Sequence, residues 1–324
     1  YIKITRIFAL YAFTSHTFTP AGASGPTGPT LTQCRNAYNV AWDTDTAFFN
    51  MTTQGYQIWT VPRNATYQFT IRGAWGGNTT SGRGGYSRYI TGRLSLKSGD
   101  KLTLIVGQGG QYMTGPGTTN PNSESGGGGG GSFVVIHTAV DYSSTTLMLA
   151  AGGGGGGGSA GSHPSCAGND VRSDNYSTYQ IGTAYLNNGN GGGIYSSNYN
   201  GGGGGGWSSD GTSRTANYDG QGGHGYSNGF TGGEGARYAY SSTPWFDGTG
   251  NGGFGGGGGA WNNAEHRPGG GGGYSGGEGA SYEQLNSGGG GAGGNYINTT
   301  YVTNSSYGSL ETSARDGSIQ ITVI

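Results

Sequence analysis

The chain has 324 residues and a formal charge of −1. Charged residues make up 10% of it, well below the quarter usual in soluble domains. Such a balance excludes an electrostatic footprint for nucleic acid or an anionic membrane, and no apolar run approaches the ~20 residues that span a bilayer. Lys3, Lys97 and Lys101 are the only lysines, against 23 tyrosines, so solubility falls to Ser, Thr and Asn.

The chain opens on Tyr1 rather than Met, as a processed product or a piece of a longer protein would. Residues 1–20 read as one or two strands, Tyr1–Phe8 and then Tyr11–Thr14 with Thr17–Thr19, because β-branched and aromatic residues dominate. Residues 22–30 hold three collagen-like triplets, too few for a triple helix, and read as a turn-rich loop. Pro29-Thr30 then opens the one helix expected, over residues 31–42, with Leu31, Cys34, Ala37, Tyr38 and Ala41 on one side.

From Gly55 the pattern turns to strands: 56–60, 65–71, 86–96, 102–106, 133–136, 147–151 and 318–324, with turn residues between them. About eight or nine short strands predict an antiparallel sandwich. Gly supplies 77 residues, many in the blocks Gly126–Gly131, Gly152–Gly158, Gly201–Gly206, Gly255–Gly259 and Gly269–Gly273. The blocks are bracketed by apolar strands, which a loose tether would not need. They are therefore expected to be ordered, extended, three-residue-per-turn helices packed side by side, with Gly128, Gly155, Gly204, Gly257 and Gly271 at the bundle core. Since the last strand follows residue 317, the glycine-rich part is an insertion. The expected division is 1–20, N-terminal strands; 21–50, loop and helix; 51–151 with 310–324, sandwich; and 152–309, glycine insertion. Residues 231–238 recur as 275–282, and Gly201–Trp207 is echoed by Gly255–Trp261.

These pieces resemble a known family. Gln57-Ile58-Trp59-Thr60-Val61-Pro62, Thr66–Phe69 and Gly73-Ala74-Trp75-Gly76-Gly77 are similar to the opening of the glycine-rich domain in the extracellular parts of anaplastic lymphoma kinase and leukocyte tyrosine kinase. Matching runs follow at Gly126–Val135, Leu147–Gly158, Gly202–Trp207, Gly252–Gly259 and Gly269–Gly277. The resemblance covers residues 50–324. It implies a jelly-roll sandwich of tumour necrosis factor type carrying polyglycine-II helices; similar modules occur in bacterial, phage and viral surface proteins. Family membership fixes fold better than function.

No catalytic constellation is evident. G-x-S-x-G occurs at 157–161, 225–229 and 273–277, as glycine richness makes it, and none sits on the strand-to-helix elbow a nucleophile requires. The five histidines lack metal-ligand spacing, and Asp43-Thr44-Asp45 reads as a solvated turn. No cofactor is expected. Cys34 and Cys166 allow either a disulfide or two isolated thiols. Asn50, Asn64, Asn78, Asn175, Asn298 and Asn304 open N-x-Ser/Thr sequons, acceptors in a eukaryotic secretory setting. The aromatic residues between glycine blocks either cap the bundle, as expected for the Trp residues, or form a contact surface, as expected for Tyr226, Tyr238, Tyr240, Trp245 and Phe246.

The expected class is an extracellular, non-enzymatic structural protein, a self-associating subunit of a surface fibre or filament whose main partner is its own copy. The alternatives are a receptor-binding adhesin at a phage or viral fibre tip, with a cell-surface glycan or receptor as partner, and a soluble ligand-binding ectodomain. Tyr1–Phe8 would be the strand that pairs with a neighbouring subunit.

Overall fold

A computed structural model describes residues 9–79, 82–112, 124–137, 144–158, 167–174, 177–178, 184–185, 188–194, 200–213, 219–238, 244–245, 250–262, 266–280 and 289–324. Alternation of apolar and polar residues along residues 65–72 and 318–323 sets the first sheet. Its order is β1 (Ser15–Phe18), β17 (Ser318–Val323), β4 (Ala65–Arg72), β5 (Arg88–Leu96) and β16 (Thr303–Leu310), antiparallel throughout. Tyr67, Phe69, Ile71, Ile319 and Ile321 point inward and are fully buried, while Gln68, Thr70 and Gln320 face out.

The second sheet runs β15 (Tyr296–Ile297), β8 (Thr145–Ala151), β7 (Ser132–His137), β6 (Lys101–Ile105), β3 (Gln57–Thr60) and β2 (Phe49–Asn50), again antiparallel. Leu102, Leu104, Val134, Met148 and Leu149 face the first sheet, with Trp59, Phe18 and Ile90 in the same core. Ile105, Phe133, Val135, Leu147 and Ala150 face the other way and are buried too. Cover on both faces explains why β7 and β8 read as unbroken apolar runs. Val134 pairs with Leu149 but Val135 with Leu147, so Met148 is an extra residue and joins Leu149 in the inter-sheet core.

The helix α1 (Leu31–Tyr38) starts where expected. Thr30 caps it, its hydroxyl accepting the Gln33 N–H while the Gln33 side chain accepts the Thr30 N–H. It ends four residues before the expected 42, because Asn39 adopts a left-handed conformation (φ 47°) and donates its N–H to the Arg35 carbonyl. The Asp43 side chain then accepts the Val40 N–H and closes a turn. At the N-terminus the strand lies at 15–18 rather than at 11–14 and 17–19, and it pairs with β17 of its own sandwich. Tyr1–Phe8 lies outside the described residues. Strands β2, β15 and β16 were not expected; β16 is Ser-, Asn- and Gly-rich and carries no apolar period.

The glycine segments leave the strands at one pole: Gly73 follows β4, Gly131 precedes β7 and Gly152 follows β8. Their hydrogen bonds form no ladder with a single neighbour. Gly126 and Gly129 donate to Gly157 and Gly154, Gly127 and Gly130 to Gln111 and Gln108, and Gly128 and Gly131 to Gly258 and Gly255. Carbonyls of the same run accept from three more neighbours: Gly269 and Gly272, Gly77 and Ala74, and Gly253. All these bonds measure 2.8–3.1 Å. Donors three residues apart reach one neighbour, and successive donors turn to the next. Gly152–Gly157 and Gly201–Gly206 are surrounded in the same way.

Segments 73–77, 82–86, 107–111 and 126–131 belong to this bundle, so it is drawn from three connections between strands and not from 152–309 alone. The block Gly255–Gly259 is extended only from Gly257. Gly255 and Gly256 take φ of +100° and +84° and make a turn. The expected turn-rich loop is pinned along the bundle: Gly232 donates to Pro26, Phe254 to Gly25 and Gly55 to Pro29.

Short strands complete the architecture: β9 (Ser177–Thr178) with β10 (Ala184–Tyr185), and a sheet ordered β12 (Pro244–Trp245), β11 (Ala236–Tyr238), β13 (Trp261–Asn262), β14 (His266–Arg267). That sheet lies at the end of the bundle away from the sandwich, where Ala236 donates to Ala260, Ala260 to Gly250, and Arg267 to the Ser125 hydroxyl. At the opposite pole of the molecule Leu10 donates to Pro62 and Ile324 to Thr66.

Candidate functional site

The five glycines expected at the bundle core are all buried and lie together. A Cβ on Gly128 would meet the Gly270 carbonyl oxygen at 2.0 Å. The same test gives 1.9 Å for Gly155 against Gly290, 2.0 Å for Gly204 against Gly271, 2.2 Å for Gly257 against Gly128 and 2.1 Å for Gly271 against Gly153. Real Cβ atoms do not approach carbonyls that closely, so only glycine fits at this spacing.

The aromatic residues divide between the two ends. Tyr226 lies at the sandwich end, in the turn Tyr226–Asn228. It stacks between Tyr56 (5.6 Å) and Trp207 (4.3 Å) and accepts a 2.6 Å hydrogen bond from Tyr56 Oη at its carbonyl. Burial raises the Tyr226 hydroxyl pKa. Trp207, Tyr226, Tyr274 and Tyr296 pack against the cluster of Phe133, Val135, Phe230 and Phe254, which fastens the bundle to the outer face of the second sheet. Trp207 thus lies at the sandwich end of the bundle.

Tyr238 and Trp245 lie at the other end, on the paired strands β11 and β12; their side chains, with Tyr240 and Phe246, are outside the described residues. Of the five residues expected to form a contact surface, Tyr226 thus lies at the sandwich end, and the backbones of Tyr238 and Trp245 lie at the far end. Trp261 lies at that end too, buried beneath the equally buried Arg267, whose guanidinium lies 4.6 Å from the ring centre.

Sequence reasoning missed Phe230, Phe254 and Glu311. Phe254 sits in Gly253-Phe254-Gly255, and a lone apolar residue inside a glycine run is a signal that could have found it. Glu311 has no such signal. It is buried between Arg72 (3.0 Å), the Tyr89 hydroxyl and the Ser313 hydroxyl and N–H, while its carbonyl accepts Trp75 Nε1–H at 2.8 Å. Burial alone would raise its pKa. The hydrogen bonds from Ser313 and Tyr89, with the Arg72 charge, outweigh that and hold it at about 2.

Cys34 is a free, buried thiol, its pKa pushed up to about 12 by burial; Cys166 lies outside the described residues. Of the sequons, Asn64, Asn78 and Asn304 are exposed and Asn50 and Asn298 half-buried. Asn298 Nδ2 already donates to the Leu147 carbonyl, and Asn175 is outside the described residues. The Ser275 hydroxyl is buried and accepts the Gly189 N–H, and Ser227 sits in a one-turn helix, so neither forms a nucleophile elbow. Among the described residues no group of His, Cys, Asp and Glu could hold a metal, and no helix is long and apolar enough to cross a membrane.

A family model described as glycine-rich domain matches residues 52–284. The chain belongs to the glycine-rich domain family. The leukocyte tyrosine kinase receptor of mouse is 32% identical over 96 residues, which is 29% of this chain and 11% of the receptor. The chain thus spans about a tenth of that relative's length.

Proposed function

We propose that this protein is a non-enzymatic extracellular surface protein of the adhesin kind. A jelly-roll sandwich of tumour necrosis factor type forms its base, and a bundle of polyglycine-II helices forms a stiff column. The jelly-roll reading is supported by two antiparallel sheets facing one another with strands crossing between them in order. The polyglycine-II reading is supported by the three-residue period of hydrogen bonding around Gly126–Gly131, with six neighbours served in turn. In such a column most backbone groups are satisfied by one another, so it resists bending.

The observation that carries the functional reading is where the side chains gather. The β11–β14 sheet, with Trp261 under Arg267, lies at the column's far end, opposite the pole of Leu10 and Ile324. A support whose far end carries a small sheet in place of bare glycine segments suits contact with a receptor or glycan on another surface, in solution outside the cell or on a particle. Binding of the purified protein to intact cells, compared with a variant in which residues 239–243 are replaced by Gly-Ser, tests this. Retained binding by that variant would count against contact at the far end.

A second reading, the filament subunit, is favoured by β16, an exposed eight-residue edge strand with no neighbour on its outer side among the described residues. Electron microscopy separates the two: dispersed particles that adhere support the adhesin, and non-adhering filaments support the subunit.

A further inference from the structure

Tyr56, Tyr226 and Trp207 form one continuous stack at the seam between bundle and sandwich. The first pair lies 5.6 Å apart at 20°, the second 4.3 Å apart at 26°. Tyr56 is buried and roots the stack in the second sheet; Tyr226 and Trp207 are half-buried. Trp207 ends the stack, and among the described residues no ring covers its outer face.

Two tethers fix that ring. The Trp207 N–H donates to the Tyr274 carbonyl at 2.8 Å. The Asp210 carboxylate accepts the Gly225 N–H at 2.7 Å and Asn228 Nδ2 at 2.8 Å, locking the turn that carries Tyr226 to the turn that carries Trp207. His224 Nδ1 stands 3.4 Å from the same carboxylate. In the two turns that carry the stack, Ser208, Ser209, Ser227 and Asn228 are exposed, and the Ser209 hydroxyl accepts the Gly191 N–H at 3.0 Å.

We propose that the outer face of Trp207 is a carbohydrate subsite that takes a neutral pyranose ring. One face of a pyranose presents C–H groups and matches an indole in size, while its rim presents hydroxyls. The rim therefore needs neutral donors and acceptors, which the exposed Ser208 and Ser227 hydroxyls and the Asn228 amide oxygen of these turns can supply. A protein partner held by apolar contact would call for a contiguous apolar patch, and here a single ring lies in turns whose other exposed residues are serines, an asparagine and Asp210. A charged ligand would call for an uncommitted charge, and the Asp210 oxygens are already engaged in holding the turn. Because the ring is fixed before binding, little side-chain entropy is lost. Asp210 is a positioning residue in this scheme. The subsite does not rest on the far-end reading, since it lies at the other end of the column.

Saturation-transfer NMR and tryptophan fluorescence on the intact protein, with the methyl glycosides of glucose, galactose, mannose and N-acetylglucosamine as probes, provide the test. At least one glycoside is expected to bind with its ring protons nearest the protein. Trp207→Ala should weaken that binding at least tenfold. Asp210→Asn should weaken it several-fold while the difference between the emission of the intact protein and that of its Trp207→Leu variant, which isolates Trp207 from the other five tryptophans, moves to the red as the stack loosens. Where Trp207→Ala fails to fold, Trp207→Leu keeps the apolar cover over Tyr226 and should abolish binding alike. Absence of transfer from all four glycosides, or undiminished binding in the Trp207 variants, overturns the subsite. Cell binding through the far end would be unchanged by these variants, so the two readings fail separately.

Discussion

Gly55 is pressed against the ring of Phe254: a Cβ at position 55 would lie 2.2 Å from Cζ of that ring, and Gly55 itself has φ of +85°. Gly28 approaches the same ring from beside Gly55, at 2.8 Å by the same measure. Phe254 is fully buried, and its N–H and carbonyl bond to Gly25 and Gln108, so it cannot withdraw. Gly55→Ala should therefore cost about 2–4 kcal/mol, combining backbone strain with overpacking. Gly99 shares the left-handed conformation (φ +91°) but has nothing within 4 Å of a Cβ. Gly99→Ala should cost only the conformational share, about 1–2 kcal/mol. Urea denaturation of the pair separates contact from conformation, and equal losses would refute the contact.

Inside the bundle the spacing itself forbids a side chain. Gly204→Val would drive its Cβ to 2.0 Å from the Gly271 carbonyl. A loss above about 4 kcal/mol, or failure to fold, is expected. Gly193 lies on the rim with nothing within 4 Å of a Cβ, and Gly193→Ala should stay within about 0.5 kcal/mol of the parent. An unchanged melting temperature for Gly204→Val would mean that the segments are loose.

Acid should reveal Glu311. Its pKa is about 2 in the fold against an ordinary 4.5. The folded state thus holds the ionised form more strongly than the unfolded chain does. The stability this contributes, about 3 kcal/mol, is fully present above pH 4.5 and is lost as pH falls towards 2. Glu311→Gln should lower stability at neutral pH and flatten the curve between pH 4.5 and 2. A variant whose pH profile parallels the parent's would show that another carboxylate governs this range.

Removal of residues 1–8 should leave the fold intact, because Ser15–Phe18 already covers the β17 edge. Melting within about 2 °C of the parent is expected. The filament reading adds that the shortened chain no longer assembles, which electron microscopy would show. Unfolding on truncation would instead assign the segment to its own sandwich.

Much of the framework was legible in the chain. Alternation in 65–72 and 318–323, the apolar runs at 133–136 and 147–151, and Thr30 with Gln33 marked strands and a helix start within one or two residues. The helix end was missed because Asn39 can either continue a helix or leave it, and the Val40–Asp43 turn decides. Strand β16 was missed because its polar residues face water on an edge where no apolar period is needed. Of the candidate contact residues, nearness in sequence said nothing of placement: the chain runs along the column from the Tyr226 turn to β11, so the backbones of Tyr238 and Trp245 lie at the end away from Tyr226.

The sequence by itself determined that the glycine blocks are closely packed, since apolar strands bracket them and nothing but glycine occupies them. It did not determine which block lies beside which. Residues without side chains carry no pattern that distinguishes one neighbour from another, and every face of such a segment offers the same N–H and C=O groups. Neighbours are chosen by where β4, β7 and β8 deliver the chain at the sandwich pole, and by the rings of Phe230, Phe254 and Tyr56 that seat the column there. Only the tertiary structure fixes those positions, because they depend on strand pairing across more than a hundred residues of chain.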